Sequence, residues 1–280
     1  MKPAAARLRT QRTARLLALV AGAVVMVLPF VYMVSTSFKP NVLAFEWPPK
    51  LLPTNPTFDN YLQAWNANDF GRYFLNSAIV ACATTILTTL LSALAAYAFA
   101  RFTFPGRSII FWALMLGLMV PSIVILIPQF LVANALGLTD SLGGLVVFYV
   151  GGGIAFNTFL LRGFFERVPA ELDESMTVDG AGPLRRFVAL YLPISRPALA
   201  TSAVFAFLAS WDEYSWALTV INSPENNTLP LAIAQFQGTH LTSWSLVFAA
   251  SLIGMTPVIL IYLLGQKHFV SGLTSGALKS

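Results

Sequence analysis

Six long apolar segments dominate this 280-residue sequence, and most of them carry no charged side chain. They cover residues 16–35, 77–100, 108–135, 141–161, 197–220 and 243–266. A helix needs about 20 apolar residues to cross the hydrocarbon core of a bilayer. The fifth segment is the weakest, because Asp212 and Glu213 interrupt it. The sequence therefore predicts an all-α membrane protein with six transmembrane helices.

The composition excludes a water-soluble globular domain. Hydrophobic residues make up 56% of the chain and charged residues 10%, against about 25% charged in soluble domains. A soluble protein of this size has too little interior to bury so much apolar surface. The net charge of +5 is explained by the excess of lysine and arginine that membrane proteins carry in their cytoplasmic loops. The sequence has no run of basic residues interleaved with aromatic residues, so it gives no indication of nucleic-acid binding. The lone Cys82 excludes an intrachain disulfide framework and a cysteine metal cluster.

The basic residues predict how the chain is oriented. With both termini in the cytoplasm, only Lys39, Lys50 and Arg72 fall outside, which leaves 14 of the 17 lysine and arginine residues inside. We therefore predict a cytoplasmic tail over residues 1–15, one transmembrane domain over residues 16–269, and a cytoplasmic tail over residues 270–280. A cleaved signal peptide is the alternative for the first segment. Its apolar run is longer than a typical signal core and has no small-x-small cleavage pattern, which favours a retained span.

Proline and glycine predict irregular or closely packed spans. Pro121 and Pro128, with Gly117 nearby, predict a kinked third span whose freed carbonyls need protein or water. The kink either lines a pathway or faces a neighbouring helix. Five glycines of the fourth span predict close helix contact; they are Gly143, Gly144, Gly151, Gly152 and Gly153.

The polar segment between the fourth and fifth spans predicts two short helices joined by a bend. Pro169 suits the first position of a helix, and Gly180 suits its end. Pro183 opens a second helix, which Pro193 is expected to close. On the first helix Leu172 and Met176 share one face, while Glu171 and Glu174 share another. From the residues alone, this elbow is either a solvated amphipathic turn or a docking surface.

The elbow resembles a known signature. Glu174, Asp179-Gly180-Ala181 and Leu190-Tyr191-Leu192-Pro193 fall at the spacing of the E-A-A, D-G-A and I-x-L-P pattern of binding-protein-dependent ABC importer permeases. Ser175 and Met176 replace the usual alanines, and Leu190 replaces isoleucine. The resemblance implies that residues 169–193 form a coupling helix inserted into an ATP-binding subunit, where Glu174 pairs with a basic residue. The expected coupling residues are Glu171, Glu174, Met176, Asp179, Gly180, Ala181 and Pro193.

More of the chain resembles the smaller permease of maltose-type carbohydrate importers. The matching residues are Ser37-Phe38-Lys39-Pro40, Asn60-Tyr61, Asn76-Ser77, the run from Ala95 to Arg101, Leu136-Gly137-Leu138, Phe207 with Trp211, and Gly272-Leu273-Thr274-Ser275-Gly276-Ala277. The resemblance implies that residues 222–242 reach into an extracytoplasmic solute-binding protein and that the C-terminal tail contacts the ATPase dimer. The expected binding-protein contacts are Asn222, Pro224, Asn226 and Asn227. An ordinary connector is the alternative for this loop.

The resemblance also implies partners and a location. The expected partners are a second homologous permease, two ATP-binding subunits, a solute-binding protein and the lipid bilayer. The expected location is the inner membrane of a bacterium or archaeon. No G-x-x-x-x-G-K-[ST] loop holds a nucleotide, and His240 and His268 are too isolated for a metal site. We therefore expect no catalytic residue, metal or cofactor on this chain, with ATP and magnesium on a partner ATPase.

The fifth span carries the candidate pathway residues. Asp212 lies about 15 residues beyond Pro197, or roughly 22 Å along a helix, in the outer half of the bilayer. An ionisable residue at such a depth is a functional candidate. We name Trp211, Asp212, Glu213 and Tyr214, together with Pro121, as pathway residues. A solvated break in the helix is the alternative, as is interfacial anchoring for the aromatic residues.

The sequence leaves the solute open. The resemblance favours a sugar or oligosaccharide, with a glycerol-phosphate or polyol solute as the alternative. If the elbow signature is coincidental, an ion-coupled secondary transporter or a membrane scaffold remains. The sequence shows no convincing internal repeat of the kind that such transporters usually contain.

Overall fold

The computed structural model describes residues 2–40, 50–237 and 242–277, with side chains for residues 12–40, 50–237 and 242–265. The chain divides into two compact units, Met1–Phe70 with Ile233–Gly254, and Gly71–Ala232 with Met255–Ser280. The helices are α1 Lys2–Ser37, α2 Asp59–Asn66, α3 Phe70–Arg101, α4 Arg107–Leu116, α5 Ser122–Ala135, α6 Leu142–Phe165, α7 Ala170–Val178, α8 Pro183–Arg186, α9 Leu192–Ile194, α10 Arg196–Trp211, α11 Ser215–Val220, α12 Leu229–Gln235 and α13 Trp244–Ala277. The predicted all-α membrane fold is confirmed.

Four continuous helical stretches are long and apolar enough to span a membrane. They are Arg12–Ser37, Phe70–Arg101, Leu142–Phe165 and Trp244–Gly265. Two further candidates are bent pairs, Arg107–Met119 with Ser122–Ala135 at 108°, and Pro183–Ile194 with Arg196–Trp211 at 83°. The number of spans is therefore four, or six if each bent pair is one crossing.

The packing of α3 and α6 decides how to count the bent pairs. At one end of both helices, Tyr97 and Phe165 belong to one buried cluster, and at the other end Val80 and Leu145 belong to a second. The two helices therefore run in the same direction. Residues 102–141 must cross from the first cluster to the second, and residues 183–220 must do so again, because Phe187 lies in the first cluster and Val220 in the second. Each bent pair is one crossing, which gives six.

Two predicted spans are not continuous helices. The third breaks after the 3₁₀ turn Gly117–Met119 because Val120 is extended (ψ 119°) before Pro121, which has no N–H to continue the helix. Pro128 lies inside α5 without ending it. The fifth span, predicted as one helix over residues 197–220, is wrong in its last part. The helix α10 ends at Trp211, and the chain resumes helical structure only in α11.

In the unit that contains α1 and α2, the residues behind the maltose-type resemblance contact one another. Asn60 Nδ2 donates to the carbonyls of Ser37 (2.7 Å) and Lys39 (2.8 Å). The hydroxyls of Ser37 and Tyr61 lie 2.7 Å apart, and the rings of Phe38 and Tyr61 pack at 5.3 Å. The matching segments Ser37-Phe38-Lys39-Pro40 and Asn60-Tyr61 thus pack against each other where the end of α1 meets α2.

The glycines of the fourth span differ in their surroundings. Gly153 faces the Thr88 side chain of α3, where an added Cβ would lie 3.0 Å from Cγ2. An added Cβ at Gly144 would lie 1.8 Å from the carbonyl oxygen of Leu138. Gly143, Gly151 and Gly152 have no such neighbour within 4 Å. The expected close helix contact is therefore confirmed at Gly153, whereas Gly144 packs closely on the loop that precedes its own helix.

Gly144→Ala is expected to destabilise the protein, because the new methyl group meets backbone that cannot move aside. The loss should be about 3 kcal/mol, the upper end of overpacking costs. Gly143→Ala is the matched control, one residue away with open space at its Cα, and should be neutral or stabilising by about 0.5 kcal/mol. Thermal unfolding in detergent measures both. Equal midpoints for the two variants would contradict the packing described here.

Candidate functional site

The elbow between α6 and α10 forms as the sequence predicts. The helix α7 begins directly after Pro169, one residue later than expected. It ends in a Schellman motif, in which Ala181 N donates to Met176 O (2.9 Å) and Gly180 N donates to Thr177 O (3.0 Å). Gly180 has φ +77°, a conformation that residues with a Cβ rarely adopt. The bend at Gly180 is therefore built into the backbone.

The second half of the elbow is a chain of short helical pieces. Pro183 is the first residue of α8, as predicted, and a π-helix covers Phe187–Tyr191. The expected end at Pro193 is wrong by one residue, because this proline lies in the first turn of α9, where its missing N–H costs nothing. The break comes instead at Ser195. π-Helical segments of this kind are rare and occur often at functional sites.

Charged and aromatic contacts hold the elbow together. Arg186 Nη1 donates to Asp173 Oδ2 (2.8 Å) and to Thr177 Oγ1 (3.1 Å), which joins α8 to α7. Tyr97 of α3 donates its hydroxyl hydrogen to the carbonyl of Pro183 (3.1 Å). Tyr191 is fully buried and packs 4.7 Å from the Tyr97 ring. The elbow is thus fixed to the spans rather than a free loop.

Arg101, the last residue of α3, ties these parts to α6. Its Nη2 donates to the carbonyl of Phe165 (2.6 Å) and to the carbonyl of Val168. Its guanidinium lies 5.2 Å from the centre of the Tyr191 ring. One side chain therefore satisfies carbonyls at the end of α6 and contacts the π-helix. From the sequence, Arg101 is only part of a resemblance, because no local pattern shows which distant carbonyls an arginine reaches.

The outer surface of the elbow mixes exposed carboxylates with exposed apolar side chains. Glu171 and Glu174 are exposed, as is Asp179. Exposed apolar side chains lie along the same elbow; they are Leu172, Val178, Leu184 and Val188.

The predicted coupling residues do not all belong to this surface. Met176 is half-buried and packs against the cluster around Tyr191, and Ala181 is buried. The predicted apolar face shared by Leu172 and Met176 is therefore split, with Leu172 outward and Met176 inward. Gly180 and the exposed Pro193 shape the elbow. The outer surface of the elbow therefore consists of the carboxylates and the outward apolar residues.

At the opposite end of α3 and α6, Asp140 holds the loop that follows α11. Asp140 adopts a left-handed backbone (φ 51°), which aspartate tolerates better than most residues. Its carboxylate accepts hydrogen bonds from the backbone amides of Asn222 (3.0 Å) and Ser223 (2.9 Å) and from the Ser223 hydroxyl. Asn226 Nδ2 donates to the Asp140 carbonyl (2.7 Å), and Asp140 N donates to Val220 O (2.9 Å).

The start of α3 holds the same loop from a second side. Asn76 Nδ2 donates to the carbonyls of Glu225 (2.9 Å) and Asn227 (2.8 Å), and the Ser77 hydroxyl accepts from Leu229 N (2.8 Å). Both residues come from the mark Asn76-Ser77. Residues 222–229 are therefore clamped through residues that are distant in the sequence.

The predicted binding-protein contacts divide between surface and clamp. Asn222 and Pro224 are exposed, and so is Glu225. Asn226 and Asn227 are half-buried and take part in the clamp. Residues 238–241 of the predicted loop lie outside the described residues, as does His240. The side chains of the C-terminal tail also lie outside them.

Asp140→Ala is expected to loosen the loop. Removing the carboxylate leaves the amides of Asn222 and Ser223 without their acceptor, so their hydrogen exchange should accelerate about tenfold. Asp69→Ala is the matched control, since Asp69 also has a left-handed backbone (φ 56°), and it should leave these amides unchanged. Hydrogen exchange followed by mass spectrometry measures both, and unchanged protection in Asp140→Ala would contradict the clamp.

The same clamp should depend on pH. The Ser223 hydroxyl, followed by the amides of Ser223 and Asn222, lowers the pKa of Asp140 from 3.8 to about 2. Because the folded pKa is depressed, the stabilisation is complete above pH 3.8 and is lost as the pH falls through about 2. Protection of Asn222 and Ser223, corrected for intrinsic exchange rates, should therefore decline in that window in the wild type. It should be flat with pH in Asp140→Ala.

The break between α10 and α11 separates the pathway candidates. Glu213 Oε1 accepts from Trp216 N (2.8 Å) and Oε2 from Ala217 N (3.1 Å), so Glu213 caps α11. Tyr149 of α6 donates its hydroxyl hydrogen to Glu213 Oε2 (2.8 Å). Glu213 is thus used in the fold. Its capping bonds start α11 after the break at residues 212–214.

The other pathway candidates also differ in position. Trp211 is buried and stacks on Phe207 at 5.3 Å. Asp212 and Tyr214 are exposed next to the break, and Pro121 is exposed at the bend between α4 and α5. The sequence pattern gave no means of separating these residues, since the capping contact comes from a residue 64 positions away.

Comparison with known proteins agrees with this geometry. The family described as "binding-protein-dependent transport system inner membrane component" matches residues 88–275. A diacetylchitobiose uptake system permease protein of Streptomyces coelicolor is 31% identical over 263 residues, covering 93% of this chain and 87% of that protein. A trehalose transport system permease protein of Mycobacterium tuberculosis is 33% identical over 254 residues, covering 90% of this chain and 92% of that protein.

A solved structure has the same fold. One chain of a bacterial ABC transporter involved in the import of the polysaccharide alginate superposes with a TM-score of 0.83 at 23% identity, covering 93% of this chain and 97% of that chain. The six crossings and the matched residues 88–275, which contain the whole elbow, lead to one assignment. The chain belongs to the family of inner-membrane permease components of binding-protein-dependent ABC importers, and it is a permease subunit rather than an enzyme.

Proposed function

We propose that this permease imports a sugar or oligosaccharide and forms one half of the translocation pathway, beside a second homologous permease. The named carbohydrates of the two relatives support this solute class. Two ATP-binding subunits, which hold ATP and magnesium, would drive the pair, and an extracytoplasmic binding protein would deliver the solute. Both termini would lie in the cytoplasm, as the distribution of basic residues predicts.

The elbow surface is the observation that carries the proposal. Glu171 and Glu174 project from α7, and Leu172, Val178 and Leu184 leave apolar area uncovered beside them. Val178 is 88% exposed and Leu184 is 70% exposed. Apolar residues beside charged ones on a rigid element are typical of a protein docking surface. A soluble ATPase is the partner that an elbow on the cytoplasmic side would contact.

The clamped loop over residues 222–229 is the second surface that we propose for docking, in this case with the solute-binding protein. A loop held by Asp140 and Asn76 loses little conformational entropy when it binds, which favours association. Asn222, Pro224 and Glu225 are the exposed residues that it presents. We assign these three to the solute-binding protein. Asn226 and Asn227, which the resemblance implies as further contacts, would serve mainly to shape the loop.

The proposed pathway residues are Asp212 and Tyr214. Both are exposed at a break in the span, and a carboxylate exposed at membrane depth requires water or a polar partner. Tyr214 provides a ring of the kind against which sugars pack. Trp211 and Glu213 would support them through their buried contacts.

Purification through a tag on this chain tests the assembly. A second permease and an ATPase are expected to co-purify, and the complex in vesicles should hydrolyse ATP faster when its binding protein carries a disaccharide. A glycerol phosphate or polyol that stimulates hydrolysis in place of every sugar would contradict the solute class. Transport by the isolated chain in a sodium or proton gradient would contradict the importer as a whole.

A further inference from the structure

An open cavity of about 570 Å³ lies where the turn between α3 and α4 meets the end of α6. Its polar lining includes Arg107, Ser108 and Arg162, and its apolar lining includes Ile109 and Trp112. It is separate from the elbow surface, from the clamped loop and from the break at Asp212. The functions proposed above leave it without a role.

The turn before α4 fixes the first arginine. Pro105 and Gly106 are the central residues of a turn closed by Arg107 N and Phe104 O (3.2 Å). Gly106 has φ +79°, as a type II turn requires at that position. Arg107 and Ser108 are thereby placed in the first turn of α4. Arg107 Nη1 donates to the carbonyl of Phe102 (3.1 Å), and in the described part of the chain no carboxylate pairs with Arg107.

The second arginine, Arg162, stacks on the aromatic ring of Phe111. The guanidinium of Arg162 lies 4.0 Å from the centre of the Phe111 ring, and its Nε donates to Glu166 Oε1 (2.7 Å). Stacking and the single Nε bond leave the two terminal nitrogens of the guanidinium to other acceptors. Glu166 thus balances the charge of Arg162 alone, and the cavity keeps a net positive charge from Arg107.

The apolar wall points to the source of an anion. Ile109 is 75% exposed and Trp112 is 63% exposed, and both belong to a helix that crosses the bilayer. A small soluble anion would leave these apolar side chains uncovered, whereas the acyl chains of a lipid would pack against them. Arginines with a tryptophan at the end of a span are typical of the headgroup level of a membrane.

We propose that this cavity binds the phosphate of an anionic glycerophospholipid, with Arg107, Arg162 and Ser108 on the headgroup and Ile109 and Trp112 along the acyl chains. Basic pockets between spans are suited to such headgroups. The proposed orientation places the site in the cytoplasmic leaflet. The binding itself depends on neither the solute nor the ATPase.

Native mass spectrometry of the full-length chain in mild detergent tests the proposal. The chain is incubated with phosphatidylglycerol or with phosphatidylcholine at equal molar ratio, and the retained lipids are counted. Wild type should retain phosphatidylglycerol in preference. The double variant Arg107→Gln with Arg162→Gln should retain it about 30-fold less, since each basic residue contributes about a fivefold preference. Arg167→Gln is the matched control, because Arg167 contacts Phe164 outside the cavity, and it should match wild type.

A second variant covers the case in which the double variant does not fold. Ser108→Glu places a carboxylate in the first turn of α4, where negative charge favours the helix, so folding is preserved while the headgroup is repelled. It should lose phosphatidylglycerol retention as well. Equal retention of both lipids by wild type, or full retention by Ser108→Glu, would overturn the site. Displacement of the lipid by excess inorganic phosphate, with phosphate adducts in its place, would assign the cavity to a soluble anion and overturn the lipid.

Discussion

Glu174→Lys is expected to abolish solute-stimulated ATP hydrolysis by the assembled transporter while leaving membrane insertion intact. Glu174 is exposed on α7 and has no role in the packing of the elbow. Reversing its charge removes an attraction to a basic partner and adds a repulsion at an interface. Loss of one member of a charge pair that is buried and hydrogen-bonded in an interface costs about 2–5 kcal/mol. The stimulation by the loaded binding protein should fall by about a hundredfold, which leaves no measurable stimulation.

Two further variants make the measurement specific. Glu174→Gln keeps the shape and removes only the charge, so it should retain part of the stimulation. Asp59→Lys reverses another exposed carboxylate, at the start of α2 and in the other compact unit, and should behave like wild type. Normal stimulation in Glu174→Lys would refute docking through this residue. An equal loss of stimulated hydrolysis in Asp59→Lys would show that the effect of Glu174→Lys is not local.

Arg101→Leu is expected to destabilise the elbow without removing the spans. The change leaves the carbonyls of Phe165 and Val168 without their donor and removes the cation from the Tyr191 ring. Hydrogen bonds to charged groups are worth about 1.5–3 kcal/mol each, so the loss should be about 3 kcal/mol. Because the lost contacts join the end of α3 to the end of α6 and to the π-helix, the elbow should open before the spans do.

Limited trypsin digestion measures this opening directly. Arg167 and Arg185 lie in the elbow and are exposed, so cleavage there should become faster by about two orders of magnitude. Arg101→Lys keeps the charge and one donor but not the planar group, and should be intermediate. Cleavage of Arg101→Leu at the wild-type rate would show that the carbonyls of α6 are satisfied without Arg101.

The features predicted correctly from the sequence are those set by neighbouring residues. Gly180 and Pro183 specify a helix end and a helix start because a positive φ and a missing N–H act within one turn. The lengths of the apolar segments specify the spans in the same local way. A break at residues 212–214 is only an alternative from the sequence, because Glu213 caps α11 with the help of Tyr149, which no local pattern connects to it.

The candidate sites show the same division. Glu171 and Glu174 are predictable as exposed residues from helix spacing alone. Arg101 and Asp140 are not, because each acts on backbone groups more than 60 positions away. Met176 was assigned outward from spacing but faces inward, since the second helix of the elbow decides which face of α7 is covered.

The bracing of the elbow has a mechanical consequence. Arg186 joins α8 to α7, and Gly180 fixes the angle between these two helices. Arg101, at the end of α3, connects the elbow to the end of α6. A segment transmits a displacement from one end to the other only if it does not bend. In the proposed transporter, a displacement of α7 by a few ångströms would therefore tilt α6 and α10 as whole helices. Little of that displacement would be absorbed by bending of the elbow.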